Sequence, residues 1–174
     1  NSPSWITLVG DIDKRPIVSL QDYTGVADVN ALGTVTTNVF FDATVQTVNI
    51  GGFMFPYLQR HWRITPASNG AANVRIYFIQ AELNSLIASA SAYGSFTSAS
   101  QLQIVRYASG SIGVGAHEII PYTIIPLSGA TATPFSSTAN VYAFEFSVPS
   151  FSHFILTPTN DVLLDNNLLN FTAQ

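Results

Sequence analysis

Between Val141 and Val148, Tyr142, Phe144, Phe146 and Val148 alternate with Ala143, Glu145 and Ser147. Successive side chains of an extended strand point to opposite faces, so a two-residue period makes one face apolar and the other polar. The same rhythm runs from residue 73 to 79, where Val74, Ile76 and Phe78 share one side and Arg75 and Tyr77 the other. It predicts antiparallel sheet with a single buried face. Further runs of β-branched and aromatic residues occupy 5–9, 16–20, 34–50, 57–64, 102–107 and 118–125, stopped by turn residues such as Gly10-Asp11, Gly51-Gly52 and Thr65-Pro66. Between Gln80 and Ala92 the period changes, because Leu83, Leu86, Ile87 and Ala90 fall at helical spacing. The expected fold is therefore all-β: an antiparallel β-sandwich of jelly-roll or Ig-like type. One short crossover helix near 80–91 should cover an open end. Ser-rich and Gly-rich stretches at 89–100, 109–115 and 128–137 read as surface loops.

Composition narrows the partners. Charged residues are 9% of the 174, against about 25% in an average domain, so Ser, Thr, Asn and Gln must solvate the surface. Lys14 is the single lysine, and Glu82, Glu118 and Glu145 are the only glutamates; helical surfaces usually lean on both types, which again favours strands. The six basic residues are scattered as Lys14, Arg15, Arg60, Arg63, Arg75 and Arg106 within a net charge of −4. They form no patch that could follow a phosphate backbone or an anionic lipid surface, so nucleic acid is not an expected partner. Mean hydropathy is +0.29, yet no apolar run approaches the ~18 residues of a membrane helix, and no membrane insertion is expected. With no cysteine, thiolate chemistry and cysteine-based zinc sites are excluded. Asn1-Ser2-Pro3-Ser4 lacks the basic and apolar regions of a signal peptide, so any export signal is expected upstream.

The tail differs from the rest. Asn160-Asp161 and Asp165-Asn166-Asn167 bracket Val162-Leu163-Leu164, and Leu168-Leu169-Asn170-Phe171-Thr172 follows. We expect a sandwich domain over 1–158, and over 159–174 a linker with the first strand of a following segment.

Three stretches carry a family resemblance. They are Pro56-Tyr57-Leu58-Gln59-Arg60-His61-Trp62-Arg63-Ile64-Thr65-Pro66, then Val74-Arg75-Ile76-Tyr77-Phe78 running into Gln80-Ala81-Glu82-Leu83, and Val141 to Val148 followed by Ser150-Phe151-Ser152-His153-Phe154. Together they resemble a β-sandwich accessory module of large secreted or cell-surface Bacteroidetes proteins. The ending Leu168 to Ala173 is similar to the segment that precedes a type IX secretion sorting domain. The resemblance covers roughly residues 56 to 172. It implies a secreted or outer-surface location, and as partners other domains of the same exported protein.

No catalytic constellation is legible. Serine hydrolysis needs a histidine base beside a nucleophile. The chain offers His61, His117 and His153 but no Gly-x-Ser-x-Gly elbow, since Ser109-Gly110-Ser111-Ile112-Gly113 lacks the leading glycine. These histidines read as strand-face residues, with His61 pointing away from the core if Trp62 points in. Glu82, Glu118 and Glu145 read as solvated or arginine-paired rather than as a glycosidase pair. Gly110, Gly113 and Gly115 are in the wrong order for a phosphate cradle.

Two kinds of site remain as candidates. Asp11 and Asp13 put two carboxylates on one side of an extended segment, with Asp22 and Asp28 downstream. They are candidate Ca2+ ligands, or else turn residues accepting backbone N–H bonds; no other cofactor is expected. Among the rings, Trp5, Tyr93, Phe96 and Tyr122 lie in or beside predicted loops or near the terminus. They are candidates to bind the apolar faces of sugar rings, or else to cap core edges. The expected function is thus that of a non-catalytic structural or adhesive accessory module. The alternative is a carbohydrate-binding module that targets an attached enzyme to polysaccharide. Self-association is a further expectation, because edges near Trp5 to Val9 or Leu163 to Phe171 carry no blocking lysine.

Overall fold

The computed structural model describes residues 5–10, 16–22, 32–91, 96–107, 117–118, 122–125, 133–134 and 140–159. Their strands form three sheets. The first runs in the order β1 (Ile6–Val9), β2 (Pro16–Asp22), β7 (Ala72–Ile79), β12 (Val141–Val148) and β11 (Thr133–Pro134). The second runs β10 (Tyr122–Ile125), β8 (Leu102–Tyr107), β13 (His153–Pro158), β6 (Arg60–Pro66) and β3 (Val35–Phe41). The third is β5 (Phe53–Tyr57), β4 (Gln46–Ile50) and β9 (His117–Glu118). Neighbours are antiparallel in the first two sheets, and β4 pairs with β9 in parallel. The all-β, sandwich-like class expected from the alternation is the one observed.

The layering goes beyond the expected pair of sheets. A main core lies between the first two, where Val18, Val74, Ile76, Phe144 and Phe146 meet Trp62, Ile64, Ile104, Phe154 and Leu156. A second core covers the opposite face of the middle sheet, where Val48, Ile50, Phe55 and Tyr57 pack on Val105, Tyr107 and Ile155. The centre of the middle sheet, at β8 and β13, is therefore dry on both sides, while its outer face at Arg63 and Asn38 stays exposed. This corrects the expectation that every sheet would keep one wet face, which holds for the first sheet, where Arg75, Glu145 and Ser147 point outward.

That double burial explains where the strand pattern fell short. A strand buried on both faces loses its alternation. In β13, Phe154 and Leu156 enter one core and Ile155 the other, so His153–Pro158 gives no two-residue signal and was absent from the expected runs. Phe53–Tyr57, an edge strand of the third sheet whose Phe55 and Tyr57 enter the second core, is a further strand outside the expected runs. The 34–50 run divides into β3 and β4, which join different sheets, and 118–125 divides into β9 and β10. Thr133–Pro134 pairs with β12 inside a stretch expected to be loop.

Helix α1 (Gln80–Ala90) follows β7 directly, as the 80–91 expectation had it. Its first turn is fixed by Glu82, whose Oε2 accepts the Ile79 N–H at 3.0 Å, an acid placed where the helix dipole favours it. The other carboxylate oxygen accepts Arg60 Nε and Nη2 at 3.1 and 3.0 Å. Leu83, Leu86 and Ala90 enter the main core, so the helix closes one end of the sandwich and is tied to β6 by a buried ion pair. At the β4–β5 hairpin, Gly51 and Gly52 have φ of +61° and +92°, the left-handed pair that a two-residue turn requires. A Cβ on Gly51 would also stand 2.7 Å from the Tyr122 hydroxyl.

Residues 160–174, expected as linker and opening strand, lie outside the described residues; Thr159 N–H bonds the Gln101 carbonyl at 2.8 Å. The second core gives a direct test. Ile155→Ala should cost about 2–5 kcal/mol in urea unfolding, as for any buried isoleucine. A change below about 0.5 kcal/mol would mean that this face is solvated.

Candidate functional site

Of the six residues singled out from sequence, the three described ones, Trp5, Phe96 and Tyr122, do not converge. Trp5 is half-buried, with the Arg75 guanidinium 4.1 Å above its ring. Arg75 in turn bonds Glu145 at 2.6 Å. Trp5 thus caps a charged pair on the outer face of the first sheet rather than standing free. Phe96 corrects the expectation of an exposed ring: it is 2% exposed and belongs to the main core, because residues flanking α1 are drawn in by the apolar face they border. Tyr122 is exposed at 38% on the edge strand β10. Tyr93, Asp11 and Asp13 lie outside the described residues, as do the side chains of His117 and Glu118.

What the fold does bring together is a row of polar and aromatic side chains on the outer face of the middle sheet. The register aligns Tyr122 with Tyr107, Tyr107 with His153, His153 with Arg63, and Arg63 with Asn38. Five strands contribute one residue each. At about 4.8 Å per strand the row spans on the order of 19 Å. It lies along the margin of the third sheet: Tyr107 is buried, His153 half-buried, and Arg63 and Asn38 are exposed. The Tyr107 and His153 rings are 4.9 Å apart and tilted.

One register step further in, the same face becomes dry. Here His61 is 4% exposed, stacked on Phe40 at 4.9 Å and edge-on to Tyr57 at 6.2 Å. Trp62 points into the main core and His61 away from it, as the alternation requires, but the third sheet covers that side as well. Asp42 bridges the group: its Oδ2 accepts the Tyr57 hydroxyl at 2.9 Å and lies 3.8 Å from His61 Nε2. His61 Nδ1 and the Tyr107 hydroxyl are buried without a hydrogen-bond partner among the described residues. Burial, then the bond to Asp42, holds the Tyr57 phenol far above its ordinary value; burial and the Asp42 charge do the same for Tyr107.

Burial pushes His61 below the ordinary imidazole range, against a smaller opposing pull from Asp42. His153 is lowered by burial first and then by the Arg63 and His61 charges. Both rings are therefore neutral near pH 7, able to stack and to donate one hydrogen bond each. The Ser152 hydroxyl, next in sequence to His153, donates to the Tyr107 carbonyl, and no serine of the described residues bonds either imidazole.

Beside the row lies an open depression of about 210 Å³. Arg63, Thr65, Asn69, Ser152 and His153 supply its polar wall, and Ile64, Pro66 and Phe151 its apolar part. The described cations differ in how they are held. Arg60 pairs with Glu82 and Arg75 with Glu145, while Arg106 donates to the Ser150 hydroxyl and carbonyl. Arg63 has no ion pair or hydrogen bond among the described residues, and it is exposed. No group of three or more histidine, cysteine, aspartate or glutamate side chains suited to a metal forms among the described residues.

No family model, curated protein or solved structure matches the chain.

The sequence pattern contained part of this row. Alternation through Arg60-His61-Trp62-Arg63-Ile64 puts His61 and Arg63 on one face, opposite Trp62 and Ile64. Nothing local could place His153 or Tyr107 beside them, because strand register over such separations is set by the packed sheets. A pH test follows from the two histidines. In the unfolded chain both titrate near pH 6.5, whereas in the fold they titrate lower, so below about pH 6.5 the unfolded state binds more protons and stability falls. Their stabilisation should be complete above about pH 6.5 and decline as pH drops toward about 5, read as a falling midpoint in urea. The double variant His61→Gln/His153→Gln should show a flatter profile over that window; an unchanged slope would mean the imidazoles are not buried neutral.

Proposed function

We propose that this chain is a non-catalytic structural and adhesive module of a secreted or cell-surface protein, acting through association of its sheet edges. The observation that carries this reading is the character of the two edge strands β1 and β3. Neither contains a charged residue, and they expose Ile6 at 67%, Val9 at 47%, Phe40 at 41% and Phe41 at 63%. Soluble sandwiches usually blunt such edges with lysine, proline or a covering element, because an unpaired strand templates pairing with another chain. The resemblance to accessory modules of exported Bacteroidetes proteins supports the same reading and the outer-surface location. Other domains of the parent protein, or further copies of this one, are the partners it implies.

A second reading, a carbohydrate-binding module, is favoured by one feature. The margin of the middle sheet presents the exposed Tyr122 ring in line with His153, Arg63 and Asn38. Rings on an open, polar-rimmed surface suit the stacked faces and hydroxyls of a glycan chain.

Sedimentation velocity over a wide concentration range tests the first reading. The wild-type domain should associate as concentration rises, and Ile6→Lys with Thr36→Lys should weaken association about tenfold while leaving circular dichroism unchanged. A strict monomer at the highest soluble concentration would remove the edge-association reading. Turnover of an ester, peptide or glycan that disappears in His61→Gln or His153→Gln would overturn the non-catalytic one.

A further inference from the structure

We propose that Arg63 and His153, together with the polar wall of the depression beside them, form a subsite for the carboxylate of an acidic, uronate-bearing polysaccharide. This deepens the carbohydrate-binding reading and rests on it.

Three observations lead there. The first is the state of Arg63. In a chain with so few charges, the other described arginines, Arg60, Arg75 and Arg106, are held by carboxylates or a carbonyl. Arg63 stands exposed without such a partner among the described residues. A guanidinium presents a planar fork of donors matched to a carboxylate, and the paired bonds are stronger than neutral ones. The second is the company it keeps. His153 lies beside it in register, and its ring is braced by Tyr107, so an imidazole N–H and a ring face adjoin the cation.

The third observation selects the class of ligand. Asn69 Oδ1 accepts the Phe151 N–H at 2.7 Å, which leaves the amide NH2 as a donor. Ser152 donates to the Tyr107 carbonyl, which leaves its oxygen as an acceptor, and Thr65 is exposed. Separate hydroxyl and amide groups around an open depression match the separate hydroxyls of a sugar ring. A peptide docking as an added strand would be held through its main chain, but the strands here already use theirs: β6 and β13 pair with each other, and Ile64 N–H bonds the Ser152 carbonyl at 3.0 Å. The depression offers side chains, not a free edge.

Affinity electrophoresis and calorimetry on the intact chain can decide this, using polygalacturonate, alginate and glucuronoxylan as probes. Fully methyl-esterified polygalacturonate serves as the uncharged counterpart and polyglutamate as the acidic peptide. At least one uronate polymer should retard the protein. Arg63→Gln should weaken that binding about tenfold or more, while Arg75→Gln, on the opposite outer face, should leave it unchanged. Equal binding of the methyl ester would overturn the carboxylate subsite and leave the carbohydrate reading standing. Binding of polyglutamate as strong as that of the uronates, and equally sensitive to Arg63→Gln, would overturn the sugar in favour of a peptide. If no uronate polymer binds, the subsite fails; if glucans, chitin and xylan fail as well, so does the carbohydrate reading.

Discussion

Burial of both faces of the middle sheet is the constraint on which the rest of the structure depends. Strands β8, β13 and β6 supply Ile104, Phe154 and Trp62 to one core, and β8 and β13 supply Val105 and Ile155 to the other. A sheet so placed cannot solvate its backbone, so its ladder must be complete. The added bonds from Leu58 N–H to the Leu156 carbonyl and from Ile64 N–H to the Ser152 carbonyl, at 2.9 and 3.0 Å, extend the joint between β6 and β13. With the middle layer fixed, the first sheet and α1 close over one side and the β4–β5 hairpin over the other. Each fully buried apolar side chain contributes roughly 1.5–3 kcal/mol, and two cores allow a chain of modest charge to reach stability without disulfides.

Several of the polar groups drawn inward by that layering partner one another, although His61 Nδ1 and the Tyr107 hydroxyl find no partner among the described residues. Glu82 joins Arg60 on β6 to the first turn of α1, so one carboxylate serves both an ion pair and a helix N-terminus. Thr7, Ser19 and Tyr77 link hydroxyl to hydroxyl at 2.8 and 2.7 Å across β1, β2 and β7. Asp42 holds Tyr57 and faces His61 beneath the third sheet. Such pairs contribute little net stability in place of apolar contacts, but breaking one leaves a buried group uncompensated. They fix register more than they add strength. Against this background an exposed arginine with no partner among the described residues is unusual, and it sits where the margin of the third sheet uncovers the middle one.

The edges of the layers account for the adhesive reading in the same physical terms. Ile6 pairs in register with Leu20, which is buried, while Ile6 itself is largely exposed. The apolar face of the first sheet therefore continues past the core that covers it. Phe40 and Phe41 stand similarly at the far edge of the middle sheet, one stacked on His61 and the other beneath Arg60. These exposed apolar edges are the overhang of a core built for stability.

The sequence by itself determined the class of fold, because a two-residue apolar period in residues 73–79 and 141–148 admits only a half-buried strand, and Leu83, Leu86 and Ala90 admit only a helix against a core. It also put His61 and Arg63 on one face of a strand. It could not reveal that this face would be covered by a third sheet, that Phe96 would turn inward, or that His153 would lie beside Arg63. Those outcomes belong to tertiary structure: alternation records which residues share a face, whereas what lies opposite that face is settled by how the sheets stack and in which register distant strands pair.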